Sequence, residues 1–254
     1  SPAQDGRAGA RQHRMTNRAV LAHGFTQTAR SWAEIERRLA VLAPHLATTA
    51  VDLPGHGTAT NITTGLWGSA DHLVDSGGTG AYVGYSMGGR VALHAALAHP
   101  ERVTSLVLIG ATAGIVDSAE RFERREWDER LADRIEAIGL DMFIDEWLAN
   151  PLFGGLDEES AARNDRLRNT AEGLASSLRT CGTGTQDSLW DRLAEIQCPT
   201  LVLVGEHDTK FRALGDRLVA AIPDSRLTII ADSGHSVHLE APQATAAALS
   251  EFLG

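Results

Sequence analysis

The chain has 254 residues, enough for one substantial hydrophobic core with room for a subdomain. Its 43% hydrophobic and 22% charged content is that of a soluble globular protein. A formal net charge of −10 argues against electrostatic binding to nucleic acid or anionic membranes, while leaving room for a local basic pocket.

The opening SPAQDGRAGARQHR precedes Met15 and holds no apolar segment. It reads as a leader over 1–15 of disordered composition, not as a secretory signal. Short apolar runs then recur, each ending in glycine or a polar cluster: RAVLAHGF (18–25), TTAVDLPGHG (48–57), GAYVGYSMGG (80–89), VTSLVLIGAT (103–112), PTLVLVGEHD (199–208) and SRLTIIADSGH (225–235). They lack apolar/polar alternation, which suits strands buried on both faces of a parallel sheet. Helical patterns intervene, SWAEIERRLAVL before the second run and GGRVALHAALAHP after the third. Strand and helix in alternation predict an α/β sheet.

The order breaks between about 115 and 190, where helical segments fall at roughly 118–138, 140–149 and 158–179 and no strand-like run appears. This predicts a core formed by 16–115 and 190–254, with a helical cap over 116–189 inserted above the carboxyl edge of the sheet. In open α/β sheets that edge carries the site. No apolar run reaches transmembrane length. The two cysteines, Cys181 and Cys198, make no disulfide framework and lack zinc-ligand spacing, so a reducing, cytoplasmic compartment is expected.

GYSMGG (84–89) sets Ser86 in the spacing G-x-S-x-G, entered by an apolar run and left by a helical pattern. That strand–turn–helix context separates a nucleophile elbow from an inert serine in a glycine-rich turn. The glycines permit a sharp turn. The turn presents the hydroxyl at a helix N-terminus, where backbone donors face developing negative charge. A serine needs a base, and His235 in DSGHSVHLE follows the last strand-like run. Asp208 in GEHD leaves the preceding one and would orient the base. His238 is a second candidate base, read as a surface or supporting histidine. Asp232 and Glu206 compete for the acid role, but both fall within or beside a strand rather than at its exit. His207, His235 and His238 hint at a metal, yet no third ligand has recognisable spacing. In AHGF (22–25) the Phe25 N–H could join that of Met87 in an oxyanion site, with His23 propping the loop; His56 in DLPGHG reads as structural.

At about 100° per residue, Trp127, Leu131, Ile135 and Ile138 form one apolar stripe, and Arg124 falls on it. Arg125 and Arg130 point elsewhere beside Glu neighbours, as a solvated face would. Arg168 stands at the edge of a second stripe, Leu167, Ala171, Leu174 and Leu178. Arg90, four residues after Ser86, begins the elbow helix. Singly, each arginine reads as a surface ion pair. Three at one cleft would suit a substrate with several carboxylates, since each guanidinium can clamp one bidentately.

Oxyanion loop, elbow, acid and histidine in this order resemble the α/β-hydrolase superfamily, from about residue 18 to the C-terminus. The resemblance implies an α/β-hydrolase fold: a mostly parallel sheet with helices on both faces and an inserted helical cap. Members usually open with antiparallel strands before the oxyanion strand; almost nothing precedes Arg18, so truncation of the sheet at that edge is expected. The stretches HGFTQTARSW, VDLPGHG, VGYSMGGRVAL, RFERREWDERL, FIDEWLANPLF, RLRNTAEGLASSLR, GEHDTKFRAL and SGHSVHLEAP are similar to one branch, the 2-succinyl-6-hydroxy-2,4-cyclohexadiene-1-carboxylate synthases of menaquinone biosynthesis.

That resemblance implies a lyase expelling pyruvate from a cyclohexene that carries carboxylates and a succinyl chain. Ser86, His235 and Asp208 would remove a proton, the amides of Phe25 and Met87 would hold the enolate, and Tyr85, Arg90, Arg124, Trp147 and Arg168 would bind substrate. It implies a small-molecule carboxylate as partner, no nucleic acid, no cofactor and no metal; the oligomeric state is not legible. A carboxylesterase or C–C bond hydrolase with Ser86 as nucleophile stays open and would form an acyl-enzyme with a simple ester. So does a non-catalytic ligand receptor, which would retain ligand without turnover.

Overall fold

The computed structural model describes residues 17–254, so the leader expected over 1–15 lies outside the described residues. Each of the six apolar runs forms a strand: β1 (Arg18–Ala22), β2 (Ala47–Val51), β3 (Gly80–Tyr85), β4 (Val103–Ile109), β5 (Thr200–Gly205) and β6 (Ser225–Ile230). They make one sheet in the order β2-β1-β3-β4-β5-β6, with every pairing parallel. β3 and β5 are buried along their whole length. The expectation of burial on both faces fails at β2 and β6, which are half-exposed because each is an edge with a neighbour on one side only.

The helices follow in chain order. α1 (Ala33–Leu42), α2 (Leu66–Gly77) and α3 (Met87–Ala98) lie between β1 and β4. α4 (Ser118–Ile138), α5 (Leu140–Leu148), α6 (Glu158–Ala161), α7 (Arg163–Arg166) and α8 (Ala171–Cys181) separate β4 from β5. α9 (Thr209–Ala221) joins β5 to β6, and α10 (Val237–Glu240) and α11 (Pro242–Leu253) follow.

Successive strand residues face opposite sides of a sheet, and two apolar layers result. Tyr82, Leu106 and Val202 pack with Leu73 of α2 and Val91 of α3. Val83, Val107 and Leu203 pack with Ile35 of α1 and Leu249 of α11. At roughly 1.5–3 kcal/mol for each fully buried large side chain, these layers drive the collapse. A third cluster lies in the strand-free segment, where Ile135, Phe143, Ile144, Leu174 and Leu178 pack together and Phe25 of the core touches them.

Two expectations about that segment need correction. On α4 the most buried residues are Asp128, Ala132 and Ile135, whereas Trp127 is 40% exposed. The face is rotated because a buried carboxylate centres it: Asp128 accepts Arg124 Nε at 2.8 Å and the Gly184 N–H at 3.0 Å. The helix expected over 158–179 is three pieces. Ala162 adopts a left-handed conformation (φ 50°, ψ 45°) between α6 and α7, and the Thr170 hydroxyl caps α8 by accepting the Gly173 N–H at 3.0 Å.

β2 and β3 lie on opposite sides of β1, so the strand order reverses there. At such a switch point the loops leaving neighbouring carboxyl ends part and open a crevice. β1 delivers His23, Gly24 and Phe25 to it; β3 delivers Ser86.

Candidate active site

Ser86 has φ 51° and ψ −109°, a region nearly closed to residues with a Cβ. Such strain costs about 1–3 kcal/mol and persists only where the surroundings impose it. Here the Ser86 N–H donates to the Ile109 carbonyl at 2.8 Å, and its carbonyl accepts the Arg90 N–H at 3.1 Å. A Cβ at Gly84 would strike the backbone of Gly88, and one at Gly88 the carbonyls of Ala22 and His23, so the turn closes only with glycine there. Met87 opens α3, and its N–H belongs to the first turn, which has no intrahelical acceptor.

The loop after β1 is fixed by three side chains. His23 Nε2 accepts the Leu53 N–H at 3.0 Å, which leaves Nδ1–H to donate to the Gly24 carbonyl at 2.8 Å. His56 Nε2 accepts the Thr26 N–H at 3.3 Å. Gln27 Oε1 accepts the Gly24 N–H at 3.0 Å. His23 and His56 are thus neutral props, as their sequence context suggested.

His235 Nδ1–H donates to Asp208 Oδ2 at 2.7 Å, with both side chains buried. Nε2 is left as the basic nitrogen of the ring. The other Asp208 oxygen accepts the Phe211 N–H at 3.2 Å and so caps α9. Glu240, which sequence reasoning missed, accepts the two amides flanking His235, Gly234 N–H at 2.7 Å and Ser236 N–H at 2.8 Å. The competing groups lie elsewhere. Glu206 and Asp232 are exposed and engage each other, Glu206 accepting the Asp232 N–H at 3.0 Å. With His207 they form an exposed cluster of metal-ligand spacing that includes neither His235 nor His238. His238 is buried between Trp32 and Tyr85, with ring centroids at 4.7 and 4.3 Å, and is not on the cavity wall.

Ser86, His235 and Asp208 share a cavity of about 250 Å³ with Phe25 and Met87. Tyr85, Arg90, Arg124 and Trp147 also line it; Arg168 does not, being exposed. Its place is taken by Arg166, two residues earlier at the end of α7. Arg166 is fully buried, with Nε donating to the Ala161 carbonyl at 2.8 Å and Nη1 to the Thr26 hydroxyl, while Nη2 has no partner. Burial pulls its pKa down. Arg90 is buried as well, pulled to about 10 by desolvation, and donates from Nη1 to Gln186 Oε1 at 3.3 Å. Arg124 is tied to Asp128 and lies 4.8 Å over the Trp127 ring. The Tyr85 hydroxyl shares a hydrogen bond with Ser236 Oγ at 2.7 Å. Trp147 Nε1 is buried without a partner.

Desolvation by burial, the main cause in each case, pushes His56 and His238 down to about 3 and His94 to about 4. Unfolded, these rings titrate near pH 6.5, so below that pH the unfolded chain binds more protons and folding loses stability on acidification. Tm is therefore expected to fall between about pH 7.5 and about pH 5.5, above the range where carboxylates titrate. A His238→Leu variant should show a shallower fall. Thermal melts in matched buffers would decide, and a level Tm across that window would contradict the neutral assignments.

The alpha/beta hydrolase family model matches residues 19–248. A Bacillus subtilis (strain 168) protein provisionally named 2-succinyl-6-hydroxy-2,4-cyclohexadiene-1-carboxylate synthase is 38% identical over 248 residues, covering 92% of this chain and 89% of that protein. The synthase of that name from Citrobacter koseri is 34% identical, covering 92% of each chain. Among solved structures, MenH from S. aureus superposes with a TM-score of 0.83 at 31% identity, covering 94% of each chain.

Proposed function

The chain belongs to the alpha/beta hydrolase family, and from that premise we propose that it is a lyase of menaquinone biosynthesis, a 2-succinyl-6-hydroxy-2,4-cyclohexadiene-1-carboxylate synthase. Its substrate is 2-succinyl-5-enolpyruvyl-6-hydroxy-3-cyclohexene-1-carboxylate. The relatives of that name support the reading. The observation that carries it is the wall of the cavity, which gathers the guanidiniums of Arg90, Arg124 and Arg166 beside Ser86 and His235. Buried guanidiniums call for anionic partners, and a ligand with several carboxylates supplies them.

In this reading Ser86, His235 and Asp208 act as one unit. Asp208 holds Nδ1–H, so Nε2 draws the Ser86 proton, and the serine oxygen takes the proton beside the succinyl ketone. The C–H electron pair becomes an enolate whose oxygen rests on the amides of Phe25 and Met87. As the enolate collapses, its electrons pass through the ring double bond and the C–O bond to the enolpyruvyl group breaks. The departing enolate takes up one proton on carbon and leaves as pyruvate. One proton is removed and one returned, so no water is consumed. Arg90, Arg124 and Arg166 pair with carboxylates, and Tyr85 and Trp147 shape the apolar wall.

No helix among the described residues is long and apolar enough to cross a membrane, and both cysteines are free. A reducing cytoplasm suits both features. The test is to supply the cyclohexene, made in situ by the preceding enzyme, and follow pyruvate with a coupled dehydrogenase. Release well above the spontaneous rate is expected; release at the spontaneous rate would overturn the lyase reading.

A further inference from the structure

Lys210 is the only lysine of the chain, which has 22 arginines. It is the second residue of α9, is exposed, and lines the active cavity beside Phe211, Asp208 and His235. No ion pair engages it among the described residues. Its Nζ lies 5.8 Å from the centroid of the Phe211 ring, and that ring lies 4.5 Å from His235.

The cavity thus has four cations of two kinds. Arg90 and Arg166 are buried, and Arg124 is held by Asp128. Their planar forks suit carboxylates that stay put while the reaction proceeds. Lys210 is a hydrated point charge on a flexible stem, standing at the solvent side with three rotatable donors and no anion to share. A substrate that divides in two needs a fixed grip on the part retained and a releasable one on the part that leaves.

We propose that Lys210 receives the carboxylate of the departing pyruvate, an assignment that rests on the lyase reading above. The leaving group then faces the open side of the cavity, next to His235. The ring and succinyl carboxylates fall to the arginines. An exposed, mobile ammonium binds a carboxylate weakly, so pyruvate is held during bond breaking and freed soon after.

Having one lysine makes the test clean. Reductive methylation with ¹³C-formaldehyde gives a single ε-dimethylammonium signal, resolved from the α-amine by its shift. Titration with sodium pyruvate should move that signal. In steady-state assays the inhibition constant for pyruvate should rise about three- to fivefold in Lys210→Met, as for loss of an exposed ion pair, and return toward wild type in Lys210→Arg. The inhibition constant for succinate, a mimic of the retained chain, should not follow. A signal that ignores pyruvate, or equal pyruvate inhibition in wild type and Lys210→Met, would overturn the assignment. The titration needs no turnover, so its failure is distinct from failure of the lyase reaction itself.

Discussion

Replacing Ser86 with alanine is expected to lower kcat for pyruvate release by about 10³–10⁴-fold, with Tm close to that of the parent. The two halves of this expectation have separate causes. Alanine meets the same backbone demand at φ 51°, so the strain held by Ile109 and the glycines of the turn is unchanged. On the proposed mechanism the variant loses only the oxygen that would carry the proton between substrate and His235. Residual activity would come from the amides of Phe25 and Met87 and from the arginines, which bind and polarise without it. Substrate deuterated beside the succinyl ketone should show a primary isotope effect on the parent enzyme, and mass spectrometry under turnover should find no acyl adduct. If Ser86→Ala keeps more than about a tenth of kcat, the proton passes through another group.

The sheet was legible because each strand is a short apolar run closed by glycine or a polar cluster, and a parallel strand needs no pattern subtler than that. The meeting of Ser86, Asp208 and His235 at one cavity was legible for a related reason. Ser86 follows β3 at once, and Asp208 and His235 stand in the short loops after β5 and β6, so their places are set by the sheet and not by a helical phase. The segment between β4 and β5 is where reading by periodicity failed. Asp128 could not be seen as the centre of the α4 face, since a carboxylate counts as polar in any apolar pattern and its partners, Arg124 and the Gly184 amide, supply the compensation. Arg168 was placed by a phase carried from α8 back across Thr170. The chain is not helical there, and a broken helix transmits no phase. Thr170 three residues before Gly173 was a visible N-cap signal that would have stopped the extrapolation.

The second large effect follows from that correction. Arg166→Ala is expected to lower kcat/KM by a factor of about 30–1000, the loss of about 2–4 kcal/mol that follows removal of one partner of a buried charge pair. Arg168→Ala should stay within about twofold, since an exposed arginine away from the cavity contributes little. Arg166 also braces the loop after β1 through the Thr26 hydroxyl, so its removal has a structural component that must be separated from the loss of charge. Lysine at 166 keeps the charge but not the fork that reaches Ala161 and Thr26 together, so Arg166→Lys should recover part of KM and little of kcat. Added guanidinium ion should partly restore Arg166→Ala and leave Arg168→Ala unaffected, because on the proposed reading only the first leaves a guanidinium-shaped space facing a carboxylate. If instead Arg168→Ala loses activity and Arg166→Ala does not, the clamp lies on the other side of the α7–α8 break, and the unpaired Nη2 of Arg166 needs another explanation.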